Sequence, residues 1–381
     1  MHFQQLLIPT LVPAVIAQSA PNLTDALAGE NSTLSSLNAF LQLNPQLLRL
    51  IGDAQNVTFL APNNDAVDAV LSKANPASPD NISPGGLQAL LSYHVLNGTY
   101  YASNISSTSQ FIPTLLTNTS FTNVTGGQRV EGVSDNNNLT FISALRQNVT
   151  AVTTNINFTG GTIHIVDGIL SVPQNLTDTL VDANLTASVG AIAAANQTQN
   201  LTEVEKATIF APNNEAFHAI GSILGNQTTE QLGQILGYHV VNGTVAYAPD
   251  FQNGTLRAEN GEDINIKVIN GQIFANSARV TVPDILYANG VIHVIDQVLN
   301  PNNTCATPNP SATTAGPAYT GASSGATGIP YTSGVTTPTT TFPAATSAGG
   351  VTPSRGVAAP MRTGAVRAAA LFGGAAVLVN L

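Results

Sequence analysis

Two long stretches of this 381-residue chain spell nearly the same words in the same order. The first contains Thr58-Phe59-Leu60-Ala61-Pro62-Asn63-Asn64-Asp65-Ala66, then Tyr93-His94-Val95-Leu96-Asn97-Gly98-Thr99, then Gly161-Thr162-Ile163-His164-Ile165-Val166-Asp167. The second contains Thr208-Ile209-Phe210-Ala211-Pro212-Asn213-Asn214-Glu215-Ala216, then Tyr238-His239-Val240-Val241-Asn242-Gly243-Thr244, then Gly290-Val291-Ile292-His293-Val294-Ile295-Asp296. A shorter match opens each copy, Asn22-Leu23-Thr24-Asp25 and Asn175-Leu176-Thr177-Asp178. Self-similarity over so long a period means two copies of one domain rather than a solenoid of short units. The expected fold is therefore one architecture used twice.

The copies fall at residues 21–173 and 174–301, each long enough to bury a core without covalent staples. The junction Pro173-Gln174-Asn175 is too short for a free linker, so the copies are expected to pack against each other. The two histidine motifs lie farther apart in the first copy. The extra residues, around Asn118 to Asn138, read as an exposed excursion.

Only 8% of the residues are charged and the formal net charge is −10, which leaves no basic stripe to neutralise phosphates and argues against a nucleic-acid partner. Cys305 is the single cysteine, so no intrachain disulfide is possible. The chain nonetheless reads as secreted. Residues 1–20 hold a short apolar run, Leu6 to Ile16, followed by small residues suited to signal cleavage. Nineteen Asn-X-Ser/Thr sequons follow, at Asn22, Asn31, Asn56, Asn81, Asn97, Asn104, Asn118, Asn123, Asn138, Asn148, Asn157, Asn175, Asn184, Asn196, Asn200, Asn226, Asn242, Asn253 and Asn302. That density suits heavy N-glycosylation, with sugars supplying the solubility that charges usually give. Asn97 and Asn242 hold the same place in the central motif, so that turn is expected at the surface in both copies.

Each copy begins helically and ends in strands. Leu34, Leu37, Phe40 and Leu41, then Leu47, Leu48 and Ile51, recur at three- and four-residue steps. Val57 to Ala61 is a strand meeting a turn, with Asn64 the expected cap of the next helix. Leu87 to Val95 reads as helix. Ile264 to Val268 alternates as a strand, and Asn270-Gly271 signals a hairpin. This order defines an α+β unit.

After Pro301 the texture changes. Residues 302–363 form a stalk of Ser, Thr, Pro, Gly and Ala, expected to be disordered and O-glycosylated because it lacks apolar bulk to bury. Residues 364–381 end in an apolar stretch. As a helix its last fourteen residues would span ~21 Å, short of a ~30 Å bilayer core. Small residues at Ser347-Ala348-Gly349-Gly350, a polar spacer and this tail fit a GPI-attachment signal.

With those motifs in hand, the chain resembles the fasciclin domain family, with two tandem domains and the surface signals of its fungal GPI-anchored members. The Ala-Pro-Asn-Asn blocks match the family's first signature, Tyr93-His94 and Tyr238-His239 its central motif, and Gly161 to Leu170 and Gly290 to Leu299 its second block. The resemblance covers roughly residues 22–301. It implies helices packed on a wedge of strands, and a cell-surface or matrix glycoprotein of adhesion or wall association whose partners are surface proteins or glycans. The alternative is a luminal protein of the vacuolar or secretory membrane system. In some animal members an Asp-Ile pair before the second block is read as an integrin contact. Asp284 and Ile285 occupy that place in the second copy, where the first has Asn155 and Ile156. The competing reading makes Ile285 core and Asp284 a turn residue.

Catalysis finds little support. His94, His164, His239 and His293 each sit inside an apolar run, the setting of a satisfied structural ring rather than a ligand or base. Asp167 and Asp296 follow a histidine by three residues, which in a strand puts them on the opposite face. Gly321-Ala322-Ser323-Ser324-Gly325 has the form of a nucleophile elbow but lies in the stalk, without a strand before it or a helix after it. A hydrolase or metal enzyme would need His94 joined to an acidic partner in a pocket. No cofactor is expected. Sugar stacking lacks its best platform, since the chain has no Trp, although eight Tyr remain.

Overall fold

The computed structural model describes residues 19–73, 83–136, 138–312, 316–325 and 328–338. The leader apart from its last two residues, the Asn81 sequon, the stalk beyond residue 338 and the apolar tail lie outside the described residues.

The first copy runs through helices α1 (Leu23–Gly29), α2 (Asn31–Leu43) and α3 (Pro45–Gly52), strand β1 (Val57–Pro62), helices α4 (Asn64–Lys73) and α5 (Pro84–Tyr93), and strands β2 (Val95–Asn97), β3 (Gln110–Pro113), β4 (Arg129–Asp135), β5 (Asn138–Ile142), β6 (Asn148–Phe158) and β7 (Gly161–Val166). The second runs through α6 (Leu176–Asp182), α7 (Thr186–Ala194), α8 (Thr198–Glu203), β8 (Ala207–Pro212), α9 (Asn214–Ala219), α10 (Gly221–Leu224), α11 (Thr229–Gly237), β9 (Val240–Val241), β10 (Gly254–Arg257), β11 (Asp263–Ile269), β12 (Gln272–Ala275), β13 (Ala278–Tyr287) and β14 (Gly290–Ile295). Each copy builds a seven-stranded sheet, in the orders β2-β1-β7-β6-β5-β4-β3 and β10-β11-β12-β13-β14-β8-β9. All neighbours are antiparallel except β1 with β7 and β8 with β14.

Those parallel pairs lie between two apolar layers, which is why their sequences read as nearly unbroken apolar runs. Alternation along the strand divides the work. Phe59, Ala61, Ile163 and Ile165 face the layer formed with α1 to α3, while Leu60 and Val166 join Tyr93, Phe141 and Leu170 inside the strand wedge. The second copy repeats the split, with Ile209 and Ile292 on the helical side and Phe210 and Ile295 in the wedge.

Local chemistry explains the helix starts. The Asn22 and Asn175 side chains each accept the backbone N–H three residues on. The cap of α4 is Asn63, one residue earlier than the sequence suggested: its side chain accepts Ala66 N–H at 2.8 Å, as Asn213 accepts Ala216 N–H in α9. Asn64 has another task. It accepts Ser36 N–H at 2.9 Å and donates to Ser32 O at 3.1 Å, fastening α4 to α2, and Asn214 does the same with Ala187 and Asn184. The run from Leu87 is helical only to Tyr93, because Val95–Asn97 pairs antiparallel with β1. Asn270 and Gly271 both adopt positive φ (52° and 76°), as the tight hairpin joining β11 and β12 demands.

Two regions depart from expectation. The excursion of the first copy is exposed at Asn118, but Thr122, Val124 and Gln128 are buried, because they meet the second domain. The opening of the stalk is not bare of apolar contacts either: Ala318, Tyr319, Ala322, Ile329 and Tyr331 lie against the second domain's core. Two tyrosines and an isoleucine suffice for docking where the average composition indicates none.

Candidate functional site

The four repeated histidines are deeply buried, at 0 to 3% exposure. His94 closes the C-terminus of α5, where its Nδ1–H donates to Leu90 O at 2.8 Å and Nε2 accepts Leu170 N–H at 2.9 Å. His239 repeats both bonds with Ile235 O (2.7 Å) and Leu299 N–H (2.9 Å). The strand histidines use the other tautomer. His164 Nδ1 accepts Asn155 N–H and its Nε2–H donates to Tyr100 O, while His293 does so with Asp284 N–H and Ala246 O. Both nitrogens of every ring are thus committed to backbone. Burial pushes His94, His239 and His293 down to about 4 and lowers His164, so the rings are neutral at physiological pH. They tie a helix end or a strand bulge to a distant loop. Tyr93 and Tyr238 work likewise, donating to Arg129 O and Asp263 O. Asp167 and Asp296 accept Thr150 N–H and Arg279 N–H across the β6–β7 and β13–β14 pairs.

Asp284 has the same backbone task as Asn155. Both sit at positive φ (61° and 64°) in a bulge, and each side-chain oxygen accepts one N–H, from Ala248 and Ala102 respectively. Their surroundings differ. Asn155 is exposed, whereas Asp284 is 4% exposed and Ile285 0%, because the first domain lies over this part of β13. A partner could reach the pair only after the domains separate. Burial raises the Asp284 carboxyl to about 7, against the opposing pull of the Ala248 N–H and the Arg146 guanidinium. His293 Nδ1 stands 4.0 Å from Asp284 Oδ1, but that nitrogen already accepts an N–H and the ring is neutral, so the two form no ion pair.

The covering element is the turn Ala144–Arg146, whose Leu145 and Arg146 take the left-handed conformation (φ 53° and 54°). Leu145 packs on the second domain's core, and Arg146 donates to Pro283 O at 3.0 Å while lying 3.5 Å from Glu131, a carboxylate that also accepts from Ser109 Oγ–H at 2.5 Å. Beside it, Gln128 donates to Tyr287 O and Ala288 O, and Thr122 Oγ1 and Asn123 N–H also donate to Ala288 O. Phe111 stacks on Tyr247 with ring centroids 3.9 Å apart. These contacts form an interdomain seam. Of these residues the sequence singled out Asn123 alone, and that as a sequon rather than a contact. The one available signal was the longer first copy, since the added residues supply Thr122 to Gln128.

A cleft of about 190 Å³ opens along the seam, lined by Val124, Thr125, Arg129, Lys206, Gly243, Val245 and Tyr247. It gathers two of the few cations in an acidic chain. Arg129 spends one terminal nitrogen on Phe111 O, and its Nε is buried without a hydrogen-bond partner. The Tyr247 hydroxyl is also buried and unpartnered, and burial keeps it protonated. A cleft of donors and cations suits an anionic oxygen. Among the described residues no group of His, Cys, Asp and Glu could hold a metal ion. No helix among them is long and apolar enough to cross a membrane.

The seam also bears on glycosylation. Of the sequon asparagines in the described residues, all are exposed except Asn123, which is half-buried with Nδ2 donating to Asn289 Oδ1 at 3.1 Å. That Nδ2 is the atom a glycan would occupy. Site-resolved glycan mass spectrometry should therefore find Asn123 unmodified while Asn97 and Asn242 carry sugar. Full occupancy at Asn123 would mean that the seam does not close as described.

Two copies of one sealed α+β scaffold, joined along a polar seam, define a tandem structural module. A fasciclin domain model matches residues 31–173 and 183–301, and the chain belongs to that family, an adhesion-type and non-enzymatic one. It is 35% identical over 315 residues to a fasciclin-like arabinogalactan protein of Arthroderma benhamiae, covering 82% of this chain and 75% of that one. It is 29% identical over 296 residues to the fasciclin-like arabinogalactan protein elcF of Phaeosphaeria nodorum, covering 77% and 92%. Among solved structures, the FAS1 domain pair of the insect cell adhesion molecule fasciclin I matches 71% of this chain and 98% of that one at 18% identity, with a TM-score of 0.34.

Proposed function

We propose that this chain is a cell-surface glycoprotein that mediates adhesion or wall association, presenting its paired domains as one head on a lipid-anchored stalk. The seam cleft is the contact point, and an acidic group of a surface protein or matrix glycan is what it holds. The observation that carries this reading is the convergence of Arg129, Lys206 and the Tyr247 hydroxyl on one cleft in a chain with 11 basic against 21 acidic residues. Exposed sequons over the rest of both domains suit an extracellular setting and leave this cleft as a built recess between sugars. Surface anchoring multiplies the effective concentration of each head, so that weak single contacts suffice for adhesion.

The test is adhesion of cells displaying the chain to surfaces coated with carboxylated or sulfated polysaccharide, compared with neutral polysaccharide. The double variant Arg129→Ser with Lys206→Ser should lose most of the acid-dependent adhesion while the secreted head keeps its unfolding midpoint. Equal adhesion by variant and parent removes the cleft from the proposal. Phospholipase treatment that fails to release the chain from intact cells removes the lipid anchor.

A further inference from the structure

The chain does not leave the second domain at Pro301. Asn300 and Asn303 donate through Nδ2 to Ala318 O, and the buried Tyr319, 9% exposed, donates its hydroxyl back to Leu299 O at 3.1 Å. Farther on, Ser323 and Gly325 meet the α9–α10 junction: Ser222 N–H donates to Ser323 O, Ser323 N–H to Ser222 Oγ at 3.0 Å, and Gly325 N–H to His218 O at 3.1 Å. Tyr331 ends the contact, its ring edge-on to Phe217 with centroids 6.4 Å apart and its hydroxyl donating to Leu224 O at 3.1 Å. Gly321 to Gly325, the stretch shaped like a nucleophile elbow in sequence, is part of this strap.

Two glycines of the second domain lie directly under the strap. A Cβ on Gly190, inside α7, would collide with Tyr331 O, and the next two nearest atoms, at 2.7 and 3.0 Å, also belong to Tyr331. A Cβ on Gly221, the first residue of α10, would meet Gly325 at 2.6 Å, and its remaining neighbour is Ser324. Neither glycine has a backbone conformation that demands glycine. The first domain has side chains at both places. The shared asparagine staple equates Ser36 with Ala187, so three residues on Gly190 corresponds to Ala39, and the shared Asn-Asn motif equates Gly221 with Leu71. Glycine inside a helix costs about 1 kcal/mol relative to alanine. The second domain carries that cost where the strap's backbone lies.

We propose that the face formed by α7, α9 and α10 is a peptide-docking site for an extended, tyrosine-bearing segment, filled in cis by residues 316–325 and 328–331 of the same chain. The first domain carries Ala39 and Leu71 at the corresponding places, neither of them glycine. The chain is thereby held against the second domain as far as Tyr331 rather than only to Pro301, which removes about 100 Å of extended reach. The head's last domain is held by the strap as well as by its own C-terminus.

Hydrogen exchange and limited chymotryptic digestion of the full-length chain test this. In the parent, amides of the strap between Tyr319 and Tyr331 should be protected and the bonds after those two tyrosines should resist cleavage. Gly190→Ala should speed both about tenfold or more while amides of β8 and β14 keep their protection, because alanine is the better helix former and its methyl collides first with Tyr331. Tyr331→Ala should act the same way, and Ala39→Gly should change nothing. Unprotected strap amides in the parent would overturn the proposal, as would unchanged protection in both variants or loss of protection throughout the second domain in Gly190→Ala. Protection that vanishes on dilution, with a dimer mass at high concentration, would assign the strap to a second copy and overturn the cis assignment.

Discussion

Alanine in place of Gly290 should cost the second domain more than about 4 kcal/mol, enough to leave it unfolded at ambient temperature. Gly290 opens β14 opposite Ala207, at the start of the parallel pair between two apolar layers. Its φ is +158°, and an added Cβ would collide with Ala207 O while lying 3.0 Å from Ala207 C and N. Those atoms are backbone of the central strands and cannot move without breaking the pairing of β8 with β14. Gly161 repeats the arrangement against Val57 at φ +153°, so Gly161→Ala should have the same effect on the first domain. Gly254, with open space around it and an ordinary φ, is the control and should tolerate alanine within about 0.5 kcal/mol. Urea titrations followed by circular dichroism measure all three. A loss below about 1 kcal/mol for Gly290→Ala would contradict the pairing register.

Acid should weaken the fold well before the exposed carboxylates titrate. His94, His239 and His293 are held neutral with values near 4, against about 6.5 in the unfolded chain. Between those limits the unfolded chain binds more protons than the folded one, so stability falls as pH falls from about 6.5 toward 4. At pH 5 each ring accounts for roughly 2 kcal/mol. Asp284 runs the other way. Its folded value near 7 exceeds the unfolded one, so its protonation recovers stability over the same range, by an amount comparable to one histidine. Glu131, Glu259 and Asp296, raised less by burial, act in the same sense as Asp284; the three histidines together outweigh them, and the urea midpoint should drop between pH 7 and pH 5. Asp284→Asn, which preserves the acceptor for Ala248 N–H as Asn155 does for Ala102, should steepen that drop in the second domain. A midpoint that does not change with pH would mean that the rings are solvated and charged, contrary to their committed bonds.

The balance between what was legible and what was not follows the range of each interaction. Val57 to Ala61 read as a strand because its β-favouring residues stand side by side, and the apolar layers on both faces are why that pattern is unbroken. The histidines read as interior because they stand in apolar runs. Asn63 and Asn64 were harder to separate, since either can cap a helix in sequence. Which one does depends on α2 lying near enough for Asn64 to reach Ser36. The Asp284-Ile285 pair presents a similar case. Its bulge is shared with Asn155-Ile156, but its burial comes from Arg146 and Leu145, more than a hundred residues earlier.

Order along the chain, the duplication, the α+β character and the buried histidines were fixed by residues within a few positions of one another, because strand alternation and helix spacing are local periodicities. The seam, the cationic cleft and the strap were decided only in three dimensions. Arg129 meets Lys206 across a domain boundary, and the space left by Gly190 acquires meaning only when Tyr331 lies in it. A missing Cβ leaves no periodic trace in a sequence. Its effect appears only once the packing partner is in place.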